Sequence, residues 1–331
     1  LAILEAVEAL LANGFVPART VRLAFGHDEE ISGQLGARRL AAVLAERKAR
    51  VDWVLDEGGT ITQGIVPGVA DPVAVVGIAE KGYLDLELLA TDEGGHSSTP
   101  PEHTAIGRLA SAVREIERHP FPGRIAGATG GLLAHTAPEM SLPFRLALTN
   151  LWLFEQPVLA LFTRDRRTAA AVRTTTAVTM IAGGTKANVL PVEARALVNV
   201  RTLPGDSAVA VAARIRNVVQ DTAIRVRVLP GASEASPVSS PESDGYRLLA
   251  ATIRQLYPGT IVAPYLVLGA TDARHYTGLS PTVLRFAPGL ETAGSPPRAH
   301  GTDERVGIAE HAQAVRFYAQ LIRAAAAARR V

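Results

Sequence analysis

The sequence contains no cysteine, which excludes disulfides and cysteine-ligated metal sites. It has no run of 18 apolar residues, so no transmembrane helix is expected. Its charges nearly cancel, at +2, too small a balance to argue for a nucleic-acid partner. GxSxG, Walker A and GxGxxG signatures are all missing, which removes the usual serine hydrolase, NTPase and dinucleotide readings. What remains is a chain of 331 residues, 47% hydrophobic and 20% charged. That composition suits a soluble globular protein, and the length suits two domains.

Hydrophobic periodicity organises the chain. Apolar residues at helical spacing open it (1–13), followed by a strand pattern in "TVRLAF" (20–25), a helix (33–47) and a strand in "VDWVLDEGG" (51–59). Strands alternating with helices indicate a largely parallel α/β sheet, with ligand sites at the strands' carboxyl ends. The pattern then changes. Strand-like 83–90, helical 104–119, strand-like 174–184 and 192–203, helical 207–219 and strand-like 224–229 form an α+β unit of ferredoxin-like order. The segment 146–162, "LALTNLWLFEQPVLALF", reads as buried helix. A Pro/Ser-rich loop (231–245) precedes a return to α/β style. The expected architecture is a catalytic α/β domain (1–81 and 236–331) interrupted by an inserted α+β domain (82–235).

Three segments carry candidate chemistry in the α/β part. "GHDEE" places Glu29 and Glu30 side by side at the expected strand end. Adjacent carboxylates repel, and a divalent cation relieves that repulsion; one can bind metal while the other takes a proton from metal-bound water. The alternative is an acidic surface loop. "VLDEGG" repeats the arrangement at Asp56, and "RAHGTDERV" supplies His300. Imidazole with carboxylates suits zinc better than calcium or magnesium, although a lone loop histidine is usually just solvated. In the inserted part, "GGHSSTPP" exposes His96, and "GGTKANVLPVEARALVNVR" carries Asn188 and Arg201. An arginine at a strand end clamps a carboxylate bidentately, or forms an ordinary surface salt bridge.

Taken in order, "GHDEE", "VLDEGG", "AEKG", "GGHSSTPP", "GGTKANVLP" with "VNVR", and "RAHGTDERV" resemble the aminoacylase/carboxypeptidase zinc metallopeptidases. The nearest subgroup is carboxypeptidase S and the N-acyl-amino-acid hydrolases. The resemblance implies a zinc-peptidase-like α/β catalytic domain with an inserted ferredoxin-like lid that dimerises. It implies two Zn2+ per subunit in the intact enzyme, with Glu30, Asp56 and His300 among the ligands. Glu29 matches the general base and His96 the residue that stabilises the oxyanion. Asn188 and Arg201 match residues that bind the substrate, a small peptide or N-acyl amino acid with a free carboxylate. Asp272, in "GATDARHY", matches a segment beside the pocket and is read as a loop brace. The partners expected are such a substrate and a second copy of the chain, with no nucleic acid and no membrane.

The family pattern also has a His-x-Asp motif and a metal-bridging Asp upstream, yet residues 1–25 contain neither His nor Asp. The opening inside a helix is read as the start of a fragment. On that reading the chain alone binds zinc weakly, lacks hydrolase activity and exposes a sheet edge. It is assigned to the cytoplasm, with secretion left open. The alternative is a metal-poor, non-catalytic relative that acts as a dimerising, ligand-binding protein.

Overall fold

A computed structural model describes residues 1–293 and 301–327. The chain begins with helices α1 (Ala2–Ala12) and α2 (Ala37–Glu46). Strands β1 (Val54–Asp56), β2 (Ile61–Gln63), β3 (Val73–Glu80), β4 (Gly82–Thr91) and β5 (Gly95–His96) follow. Next come helices α3 (Ala105–Arg118), α4 (Gly127–Thr136), α5 (Leu142–Thr149), α6 (Leu151–Phe162) and α7 (Arg166–Val172). Strands β6 (Thr175–Gly183), β7 (Val189–Leu190) and β8 (Glu193–Thr202), helix α8 (Ala208–Val219) and strand β9 (Ile224–Val228) continue it. The last elements are α9 (Asp244–Leu256), β10 (Ile261–Val267), β11 (Val283–Arg285), β12 (Leu290–Thr292) and α10 (Ile308–Ala325).

The residues group into two units. One comprises 1–79, 126–158 and 237–331; the other comprises 80–125 and 159–236. Residues 126–158, placed by sequence in the inserted domain, group instead with the first unit, where α4 packs on β10.

The first unit is α/β, but its sheet is mixed rather than largely parallel. The strand order is β1-β11-β3-β2-β12, with β10 also on β3. The pairs β1/β11 and β2/β12 are parallel, while β3 runs antiparallel to β11 and β2. Every residue of β3 is buried, as its unbroken apolar run requires. Helix α1 packs on α10 through Ala6 and Leu10, and His311 Nε2 meets Glu5 Oε2 at 2.9 Å.

Two expectations of helix and strand fail. Residues 20–25 form no strand. Val21, Leu23 and Phe25 do alternate, but they are exposed, and among the described residues no strand pairs with them. Alternation gives a segment a strand's pattern; only a partner gives it the ladder. The apolar segment 146–162 is helical but not buried. α6 covers Val158 and Leu159 while Trp152 is 83% exposed. Among the described residues no helix is long and apolar enough to cross a membrane.

The second unit has the expected ferredoxin-like order β4-α3-β6-β8-α8-β9, and an antiparallel sheet ordered β6-β8-β4-β9. β4 alternates strictly between buried and half-buried residues. Its Leu84, Leu86 and Leu88 pack with Val198 and Val200 of β8 against Leu109 and Ile116 of α3 and Val211 and Ile215 of α8. Thr104 and Ser207 cap the two helices by accepting from Gly107 N and Ala210 N. The opposite face of the sheet carries Tyr83, Asp85, Asn199 and Arg201.

Candidate functional site

In the first unit the acidic loop is held in place without a strand behind it. Asp28 is buried, and its carboxylate accepts from Leu35 N at 2.7 Å and Gly36 N at 2.8 Å. Those backbone N–H groups hold its carboxyl below the usual range. The next three residues, Glu29–Ile31, make one turn of 3-10 helix. Gly33 then takes a left-handed φ of +61°, and any Cβ there would collide with the Asp272 carboxylate, so only glycine serves. His275 Nε2 meets the Ser32 carbonyl at 2.9 Å. Ala37 and Ala41 of α2 pack with Tyr276, which fastens the loop to the 272–276 turn.

This places Glu29 among other acids. It is half-buried, and burial raises its pKa; the charges of Glu57, Glu30 and Asp272 add to the rise, and Arg274 opposes it. Glu30 is exposed. At the end of β1, Asp56 stands opposite Arg285 of β11 in the parallel register. Burial raises its pKa too, with Asp272 adding and the N–H groups of Glu57 and Ala273 and the Arg285 charge opposing. Asp56 Oδ2 is buried with no hydrogen-bond partner. The Tyr276 and Tyr318 hydroxyls are pushed up to about 12, mainly by burial, with Asp56 contributing to both. Gly58 adopts φ +123°, and a Cβ on Gly59 would run into the Val75 carbonyl, which explains the paired glycines after Asp56.

Glu29 and Asp56 therefore both feel the charge of Asp272. An oriented, buried carboxylate oxygen without a partner is what a cation would relieve. The described residues nevertheless do not complete a metal site: no group of three His, Cys, Asp or Glu side chains is arranged to hold an ion. His300, the third ligand expected from sequence, lies outside the described residues.

In the second unit the histidine and asparagine motifs meet. β5 pairs with β7 in a two-stranded ribbon that sets His96 opposite Val189, and Ser97 N donates to Asn188 O at 3.1 Å. His96 and Asn188 are both exposed. Ser98 N donates to His96 Nδ1 at 3.2 Å, and Ser98 Oγ lies 2.8 Å from the same nitrogen. Since a backbone N–H only donates, Nδ1 accepts and the neutral ring carries its proton on Nε2.

Arg201 ends β8. Its guanidinium carbon lies 4.7 Å from the Tyr83 ring centroid, and among the described residues no carboxylate pairs with it. Nearby, Lys81 is almost fully buried and its Nζ donates to Ala170 O and Arg173 O, each at 2.9 Å. Burial, followed by the charge of Arg201, pushes the Lys81 pKa down to about 7.

Sequence reasoning gave Asp28, Lys81 and Tyr83 no role, and placed Glu57 beside the ligands without making it one. Their importance comes from tertiary neighbours, although the glycines at 33 and 36 hinted that the Asp28 loop needed an anchor.

The profile of peptidase family M20/M25/M40 matches residues 1–324. The chain belongs to that family, a class whose solved members share its α/β architecture. A metallo-carboxypeptidase of the M20 family from Sulfolobus solfataricus superposes with TM-score 0.64 at 18% identity, over 97% of this chain and 74% of that one. The Bacillus subtilis YXEP protein, a dinuclear metal binding peptidase, gives 0.58 at 14% identity, over 97% and 69%. By sequence the chain is 38% identical to an N-fatty-acyl-amino acid synthase/hydrolase of Danio rerio over 97% of its length. It is 40% identical to a probable carboxypeptidase S-like protein of Dictyostelium discoideum over 98%. It spans 62% of the length of each of these two relatives.

Proposed function

We propose that this protein hydrolyses amide bonds in substrates with a free carboxylate, either N-acyl amino acids or the C-terminal bond of small peptides. The observation that carries the reading is the acidic rim of the first unit, where Glu29 and Asp56 both have raised pKa values and Asp56 Oδ2 is buried without a partner. A carboxylate with a raised pKa is suited to accept a proton and return it near neutral pH. In this reading Glu29 takes the proton of the attacking water and delivers it to the leaving amine. His96, with its proton on Nε2, donates to the carbonyl oxygen as negative charge develops there. Arg201 receives the substrate carboxylate, and Asn188 contacts the reacting region. The names of the two relatives, an acyl-amino acid hydrolase and a carboxypeptidase S-like protein, support this substrate class.

The cofactor we propose is zinc, two ions per subunit, with Glu30, Asp56 and His300 among the ligands. Bound zinc acidifies a water and polarises a carbonyl. The test is Glu29→Gln in the metal-loaded protein. Turnover is expected to fall by at least about a hundredfold with metal content unchanged. A Gln variant with full activity would remove Glu29 from the reaction.

A second reading follows from the incomplete cation site among the described residues: a non-catalytic relative that binds acyl amino acids and dimerises. Metal analysis after zinc loading bears on the choice, since stoichiometric, tightly held zinc would exclude the metal-poor relative. Homodimerisation is part of both readings. It is supported by β6, an edge strand of its sheet that exposes Met180 and Ile181.

A further inference from the structure

The face of the second unit's sheet that carries Arg201 holds a connected set of polar groups. Tyr83 is the direct antiparallel partner of Arg201, which is why ring and guanidinium meet. The ring is itself anchored. Its hydroxyl donates to Asp85 Oδ2 at 2.7 Å, and Asp85 Oδ1 accepts from Asn199 Nδ2 at 2.8 Å. Asp85 and Asn199 are also register partners, two residues along the same ladder. Two rungs therefore brace one another. The nearby acids are committed elsewhere, Asp85 to Tyr83 and Asn199, and Asp206 to Thr174 and Arg124. Among the described residues the guanidinium has no ion-pair or hydrogen-bond partner, and the Tyr83 ring is the aromatic group it meets.

Stacking has a consequence that an ion pair would not. It sets the guanidinium over the ring without supplying an acceptor, so the N–H groups that bond a carboxylate bidentately have no internal hydrogen-bond partner among the described residues. It also restricts a long side chain before ligand arrives, so less rotamer freedom is lost on binding.

We infer that Tyr83 is a positioning residue that holds the Arg201 guanidinium over its ring, leaves its N–H groups to the substrate carboxylate, and so makes the protein selective for acids over the matching amides. The inference rests on the proposed role of Arg201 and adds what fixes the guanidinium.

The experiment titrates the full chain with N-acetyl-L-phenylalanine and with N-acetyl-L-phenylalanine amide, probes that differ only in the carboxylate, and reads equilibrium binding without turnover. Wild type is expected to favour the acid, and Arg201→Ala to abolish that preference. Tyr83→Val, a substitution suited to a strand, is expected to weaken acid binding by about two- to fivefold and leave amide binding unchanged. Tyr83→Phe keeps the ring and is expected to keep the preference. Equal weakening of both probes by valine would indicate only a structural role and overturn the inference. So would a valine variant whose preference for the acid equals that of wild type while Arg201→Ala abolishes it. If wild type itself fails to favour the acid, the Arg201 reading fails first and the inference with it. Should valine melt the protein, a folded Tyr83→Trp variant replaces it: retained preference supports the inference, and lost preference contradicts it.

Discussion

Lys81 is a buried amine whose Nζ donates to two carbonyls, and its pKa of about 7 makes a pH-dependent statement about stability. The folded protein releases the ammonium proton near pH 7 and the unfolded chain near 10.5, so the unfolded chain holds more protons between those values. The stability that Lys81 contributes therefore rises with pH across that window and is lowest below it. Denaturant unfolding of wild type and Lys81→Met is expected to show a difference that moves in favour of wild type from pH 7 to pH 10.5. A difference independent of pH would contradict a depressed lysine. Gly33 offers a second test. An alanine there must adopt left-handed backbone and displace the Asp272 carboxylate, and is expected to cost at least about 1–2 kcal/mol of stability. Neither residue announces itself in sequence. The "AEKG" motif could be quoted, but the depth of Lys81 depends on α7 folding over it, and the partner of Gly33 lies more than two hundred residues away.

At the scale of elements, the ladders of the second unit were the most legible part of the chain. Strict alternation in 83–90 and 192–203 needed only a period of two to be read. Their packing is the source of that unit's stability, so Leu86→Ala, fully buried in β4, is expected to cost about 2–5 kcal/mol in a thermal or denaturant melt. Residues 20–25 carried the same alternation and form no strand, because register and partner belong to the fold and not to the segment. Hydrogen exchange should separate the two cases: amides of β4 and β8 protected, amides of 20–25 exchanging freely. Protection at 20–25 comparable to β4 would mean that the segment is paired. The position of Tyr83 beneath Arg201 was hidden for a related reason. The two are neighbours only through a register that no local pattern encodes.

For the whole molecule, the order of segments reads as an interrupted α/β chain, and the two units are interleaved along it. It misplaced residues 126–158, whose apolar helices carry no marker of the unit they join. It grouped Glu30, Asp56 and His300 as metal ligands; in the structure the charge of Asp272 acts on both Glu29 and Asp56, and His300 lies outside the described residues. The account depends on a cation relieving that repulsion. Its most direct test is a crystal structure of the zinc-loaded protein with anomalous data at the zinc edge. The expected result is an ion about 2.0–2.2 Å from Asp56 Oδ2, the usual zinc–carboxylate distance. Strong zinc signal elsewhere, with Asp56 Oδ2 still uncoordinated, would contradict it.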